Sequence, residues 1–154
     1  MLEVLPMTAG HEYWDAVIEY AQACSWQAGP ALAGAMRENR FTDWERVFVL
    51  RDGGEIAGFC TFTAKDELAE GYDFSPFIGF VFVGEDHRGS RLSEFMIRCV
   101  LAYAGERGFE KVYLMSGEKG LYEKYGFEKL GDYPTIFGTV DQLFVTATGV
   151  ELCD

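Results

Sequence analysis

The stretch that most constrains this chain is Phe77-Ile78-Gly79-Phe80-Val81-Phe82-Val83, followed at once by Gly84-Glu85-Asp86-His87-Arg88-Gly89-Ser90-Arg91-Leu92-Ser93. A continuous apolar run of this length reads as a strand covered on both faces. The polar, glycine-containing residues after it read as a turn. From Ser90 to about Arg107, Leu92, Phe95, Met96, Cys99, Val100, Tyr103 and Ala104 recur at spacings of 3, 1, 3, 1, 3 and 1, the stripe of an amphipathic helix. Gly105 and Gly108 mark its end, and Lys111–Met115 then alternates as a second strand. Strand, helix, strand over 77–115 implies one parallel crossover inside a mixed sheet, an α/β (α+β) fold.

The rest of the chain supplies elements around that crossover. Leu2–Leu5 reads as a first strand, His11–Ser25 as a helix with Trp14, Val17, Ile18 and Ala21 at helical spacing, and Pro30 starts a second helix through about Asn39. Arg46–Leu50 and Glu55–Lys65 flank Asp52-Gly53-Gly54, a hairpin signal. Asp66–Ser75 is acidic and polar and reads as a loop. Leu121–Tyr125 is a short helix stopped by Gly126, and Phe127–Tyr133 and Leu143–Thr148 are closing strands joined by Pro134–Asp141. The expected order is βααβββαβαββ. With 154 residues, no low-complexity tract and no linker, residues 1–154 read as a single domain.

Charge narrows the partners. Thirteen basic against 25 acidic residues give a net charge of −12, which disfavours nucleic acid and anionic membranes and suits cationic small molecules or basic peptides, or serves solubility alone. No apolar run approaches the roughly 18 residues a membrane span needs, and Met1–Pro6 carries no signal-peptide pattern. Cys24, Cys60, Cys99 and Cys153 form no Cys-x-x-Cys pair, and His11 and His87 are the only histidines. No metal is expected, and reduced thiols packed as small hydrophobes fit a cytoplasmic protein.

The turn after the first strand has its own chemistry. A helix N-terminus leaves backbone N–H groups unpaired and carries partial positive charge, so phosphates bind there. Gly89 lets the backbone turn, Ser90 caps the helix or donates its hydroxyl to phosphate, and Arg88 and Arg91 concentrate two cations in an acidic chain. An ordinary capped helix with solvated arginines gives the same pattern. Gly79 could mark a bulge or a close ligand approach in the strand, or simply a central strand packed on a helix.

Two motifs together carry a resemblance. Arg88-Gly89-Ser90-Arg91-Leu92-Ser93 follows an apolar strand, and Leu121-Tyr122-Glu123-Lys124-Tyr125-Gly126-Phe127 comes about thirty residues later. In this order and spacing they resemble the acetyl-CoA turn (Arg/Gln-x-x-Gly-x-Gly/Ala) and the Leu-Tyr-Glu-Lys-x-Gly-Phe signature of the GNAT superfamily of N-acetyltransferases. The resemblance covers nearly the whole chain. It implies a mixed, mostly antiparallel sheet of six to seven strands with about four helices and a splayed central parallel pair. It also implies that the backbone of Val81, Phe82 and Val83 holds the pantetheine arm and acyl carbonyl of acetyl-CoA. The amides of Gly89, Ser90, Arg91, Leu92 and Ser93, with Arg88, would hold the pyrophosphate, and Tyr122 would sit near the thioester sulfur. Arg91 and Ser93 stand where the family usually has Gly and then Gly or Ala. An Asn common upstream of the tyrosine has no counterpart in Ser116–Lys119.

Acyl transfer to an amine needs a polarised carbonyl, a proton for the leaving thiolate and a base for the incoming ammonium. Backbone N–H groups near Phe82 and Val83 suit the first need. Tyr122, with Tyr125 as rival, suits the second, because a phenol at about 10 matches a thiol at about 8.5. For the third, Asp73 and Glu85 are the candidates, and His87 is expected to face solvent. Acceptor selection falls to the two N-terminal helices and the 66–76 and 134–141 loops, with Trp26, Trp44, Phe74, Tyr133 and Phe137 in or near them. The acidic balance suggests a polyamine, an aminoglycoside-like amine or a Lys-containing peptide. Exposed strand edges could pair in a homodimer. The alternative from another class is a non-catalytic acyl-CoA-binding module; a kinase-like phosphate binder is disfavoured because no Gly-x-x-x-x-Gly-Lys-Ser/Thr is present.

Overall fold

The computed structural model describes residues 1–89 and 91–149. Ser90 and Cys153, both singled out above, lie outside the described residues. The elements in chain order are β1 (Leu2–Met7), α1 (Trp14–Ala23), α2 (Gly29–Arg37), β2 (Arg46–Asp52), β3 (Glu55–Thr63), β4 (Phe77–Val83), α3 (Leu92–Glu106), β5 (Lys111–Ser116), α4 (Leu121–Lys124), β6 (Glu128–Pro134) and β7 (Val140–Ala147). A one-turn 3₁₀ segment covers Glu85–His87 between β4 and α3. The order βααβββαβαββ agrees with the sequence expectation, and β4 has the bounds its apolar run predicted. Among the described residues, seven strands and four helices make a mixed α/β fold. No described helix is long and apolar enough to cross a membrane.

Residues Met1–Phe62 and Phe80–Ile97 form one compact unit. There β1 pairs antiparallel with β2, and β2 with β3 across the left-handed Gly53-Gly54 turn. The later half of β4 follows beside β3, and Gly84 donates its N–H to the Ala57 carbonyl at 2.7 Å. Val17, Ile18 and Ala21 of α1 and Leu32, Ala33 and Met36 of α2 bury against Val47, Val49 and Phe59. Each of the larger of these side chains contributes about 1.5–3 kcal/mol when withdrawn from water. Helix α2 ends two residues earlier than its sequence suggested. Asn39 takes φ +50 and donates to Met36, while Arg40 donates to Ala35 at 3.1 Å. These bonds satisfy the last carbonyls and stop the helix.

The second unit comprises Thr63–Gly79 and the chain from Arg98 onward. The start of β4 runs parallel to β5, with Phe77 opposite Tyr113 and Ile78 opposite Leu114. Strand β7 pairs antiparallel with both β5 and β6, so the last strand of the chain lies between them. Phe77, Met115 and Leu143 form the core here, packed by Leu68, Phe74, Tyr113 and Tyr133. The acidic segment after β3 is irregular, as expected, but fastened. Leu68 bridges Thr135, Ala69 donates to the Pro134 carbonyl at 3.0 Å, and Ile136 donates to the Glu67 carbonyl at 2.8 Å. Ser75 Oγ closes the loop's ends by donating to the Ala64 carbonyl at 2.8 Å.

Candidate active site

Strand β4 carries an irregularity where a ligand arm was expected. It lies at Phe80, with φ +49, one residue past the glycine singled out from sequence. A bulky side chain in that region costs on the order of 1–3 kcal/mol and persists only where its surroundings hold it. The Phe80 ring meets the edge of Trp26 at 6.1 Å. Phe82 stacks on Trp26 at 5.9 Å and on Phe59 at 5.2 Å. The Phe82 side chain is therefore core. Val81 and Val83 are half-buried.

The turn beyond β4 is set by two left-handed residues. Gly89 has φ +93 and Arg91 has φ +56. Glycine adopts that region without penalty and arginine does not, so the family's preference for glycine at this place has a backbone reason that Arg91 meets under strain. The Arg91 carbonyl accepts the N–H of Phe95 at 3.2 Å, the first bond of α3. Its guanidinium extends into solvent and pairs with Glu94 at 2.7 Å. Arg88 lies over the Phe82 ring at 5.6 Å, and its Nε donates to the Val83 carbonyl at 2.9 Å. Leu92 is buried and Ser93 half-buried on the first turn of α3.

A cavity of about 750 Å³ lies in the same unit, lined by Tyr20 of α1, Cys24 just past its end, Glu55 and Ile56 of β3, and Phe82, Glu85, Asp86 and His87. Glu85, a candidate base, is exposed on its rim. His87 departs from expectation: its ring is only 19% exposed and faces carboxylates of the β2–β3 hairpin, Asp52 at 3.5 Å and Glu55 at 3.9 Å. The hairpin turn brings these acids to it, which local sequence could not reveal. Burial raises the Tyr20 phenol above its ordinary value.

Tyr122 occupies the first turn of α4 in the second unit. Gly126, with φ +98, ends this helix, and the Phe127 N–H reaches back to the Tyr122 carbonyl at 3.0 Å. The Tyr-x-x-x-Gly-Phe spacing is thus a helix stop built on a left-handed glycine. The Tyr122 ring is 5% exposed and packs on Tyr125, Phe127 and Phe144 at centroid distances of 5.7–5.9 Å. Tyr125 is buried too, as expected of it.

Asp73, the other candidate base, is exposed on the wall of a second cavity, about 580 Å³, formed by the fastened 64–75 segment and Phe77. Two neighbouring acids were not distinguished by sequence. Burial raises Asp66 to about 6. Glu67 rises to about 8, first through burial and then through a hydrogen bond with Asp141 and the adjacent charge of Asp66. A run of acids reads as solvated; that these two are withdrawn from water follows from the distant β6–β7 turn laid over them.

Of the aromatics expected near the acceptor, Trp26 packs on Phe59 and Phe82, and Trp44 sits 5.2 Å from Phe62. Phe74 and Tyr133 meet edge to face at 5.8 Å, and Phe137 is 71% exposed. Cys24, Cys60 and Cys99 are not joined in disulfides. Among the described residues, no group of three or more His, Cys, Asp or Glu is arranged to hold a metal.

Comparison with known proteins gives a consistent picture. A family model described as Acetyltransferase (GNAT) family matches residues 9–127. No curated protein sequence matches significantly. Among solved structures, the chain is similar to an aminoglycoside 6'-acetyltransferase type Ii, with TM-score 0.73 and 14% identity, over 96% of this chain and 97% of that one. An aminoglycoside 6'-N-acetyltransferase complexed with coenzyme A gives 0.70 and 13%, again over 96% and 97%. A GNAT family acetyltransferase from Elizabethkingia anophelis with acetyl-CoA bound gives 0.65 and 15%, over 95% and 97%. At these identities the likeness speaks for the fold.

Proposed function

From the premise that this chain belongs to the GNAT family of acetyltransferases, we propose that it moves an acetyl group from acetyl-CoA to a primary amine of a small molecule or peptide. The observation that carries the proposal is the β4–α3 turn. Left-handed Gly89 and Arg91 precede the N-terminus of α3, and Arg88 is fastened to the Val83 carbonyl beside them. Such a turn presents N–H groups and guanidiniums to a pyrophosphate.

Chemistry then assigns roles. Backbone N–H groups of Phe82 and Val83 polarise the thioester carbonyl. The acceptor, an ammonium near 10.4 in water, gives a proton to a carboxylate, with Glu85 and Asp73 as candidates, and the neutral amine attacks. The N–C bond forms, the C–S bond breaks, Tyr122 gives its proton to the leaving thiolate, and the proton that the acylated nitrogen sheds restores the Tyr122 phenol. Packing of the Tyr122 ring on three aromatic rings supports a second reading, a non-catalytic acyl-CoA-binding module.

Titration of acetyl-CoA against an analogue lacking the pyrophosphate tests the turn: binding should require the pyrophosphate. Thiol release on adding amines separates the two readings. No release with any amine, despite tight acetyl-CoA binding, would leave only the binding module.

A further inference from the structure

We infer that the cavity under the 64–75 segment is the acceptor-recognition subsite, and that it takes an amine bearing a second, non-reacting cationic group next to a short apolar span. The inference rests on the acetyltransferase reading and names its substrate class.

The walls are built rather than incidental. Phe74 meets Tyr113 at 5.0 Å and Tyr133 at 5.8 Å, and Tyr72 meets Tyr133 at 5.3 Å. The bonds from Ser75, Ala69 and Ile136 described above hold the segment in place. A volume of about 580 Å³ lies in the range of small-molecule sites. Aromatic faces and edges suit an alkyl chain and a cation together.

The charge is one-sided. Asp66, Glu70 and Asp73 line the cavity against the single ammonium of Lys65. Asp66 is the recessed one, held by a bond from the Glu67 backbone. Glu67 is absent from the lining and bonds Asp141 instead. Asp66 is half-buried on the cavity wall whereas Glu70 and Asp73 are exposed, so its carboxylate gains most from an ammonium in the cavity. A carboxylate that stabilises an ammonium also keeps it protonated, and a protonated amine cannot attack a thioester. The group on Asp66 is therefore not the one acetylated, so the acceptor carries a second amine.

The test uses 1,5-diaminopentane, pentylamine and pentan-1-ol as probes in ligand-observed NMR titrations of the full chain without acetyl-CoA. Diaminopentane should bind about tenfold more tightly than pentylamine, and Asp66→Asn should remove about that factor, the scale of one charge-assisted contact. Glu128→Gln, an exposed carboxylate on β6, should change nothing. Equal binding of the diamine and monoamine, or wild-type affinity in Asp66→Asn, overturns the inference. Should Asp66→Asn fail to fold by circular dichroism, Tyr72→Ala replaces it. A several-fold loss then supports the inference and wild-type affinity overturns it. Acetyl-CoA binding and thiol release on the same samples separate the two readings. Turnover that does not depend on Asp66 sinks the subsite alone. Asp66-dependent diamine binding without acetyl-CoA binding sinks the transferase alone.

Discussion

In the first unit, the groups suited to a polyanion are backbone N–H groups and exposed guanidiniums at Arg88, Gly89 and Arg91, the Arg88 guanidinium held by the Val83 carbonyl and that of Arg91 by the Glu94 carboxylate. In the second, several groups suited to proton transfer and amine recognition are at least half-buried side chains: Tyr122 in an aromatic cluster, Asp66 and Glu67 beneath the β6–β7 turn. A phosphate can be held by many weak, solvated donors at once. A proton or an ammonium is handled by one group whose affinity is tuned by burial, neighbouring charge and hydrogen bonding. The contrast predicts that substitutions at the β4–α3 turn change acetyl-CoA affinity, and substitutions at Tyr122 and Asp66 change rate and selectivity.

Tyr122→Phe gives the largest expected effect. Removing a general acid costs about 10²-fold or more in turnover, while acetyl-CoA affinity in calorimetry should stay within about twofold, since the ring and its packing remain. Parallel losses in rate and affinity would break the division. Gly58→Ala comes next. A Cβ there collides with the Phe82 carbonyl oxygen and lies 3.2 Å from Val83 Cα, so β4 must shift. The expected loss is about 1–3 kcal/mol, read as a lower Tm, together with weaker acetyl-CoA binding.

Glu67 sharpens the comparison through pH. Its folded carboxyl holds a proton to about 8 against an ordinary value of 4.5. The folded state therefore binds more protons than the unfolded one between those values, and stability falls as pH rises through that window. Glu67→Gln should flatten that decline in urea midpoints taken from pH 5 to 8; an unchanged slope would place the effect elsewhere. The smallest effect is Arg91→Gly. Releasing a left-handed arginine gains up to about 1 kcal/mol, offset in part by the lost pair with Glu94, worth about 0–1 kcal/mol at an exposed position. Tm should hold or rise slightly, while acetyl-CoA binding weakens a few-fold if the guanidinium meets phosphate.

Much of this was legible beforehand, for local reasons. The Phe77–Val83 run read as a buried strand from its length and aromatic and β-branched content, and Gly126 announced a helix stop because only glycine enters the left-handed region without cost. The Arg88–Ser93 stretch announced a turn through Gly89. What stayed hidden depends on residues far apart in the chain. His87 looked solvated until the β2–β3 hairpin set Asp52 and Glu55 against it. Asp66 and Glu67 read like any acidic loop, because nothing near them records that Thr135 and Ile136 fold over the segment. Phe80 was not legible either: no property of phenylalanine favours a positive φ, so packing against Trp26 decides it.

That kink in β4 bears on how the protein fails. Phe77–Val83 is seven residues of high strand propensity, uncharged and without proline, the composition of a steric-zipper segment. The left-handed residue at Phe80 makes the native strand a poor template for flat, in-register stacking; the unfolded chain has no such guard. Variants that loosen the unit around it, Gly58→Ala first among them, should lose material to aggregates on heating faster than their Tm alone foretells. The same seven residues that form the kinked strand set the limit on how far this sequence tolerates destabilisation.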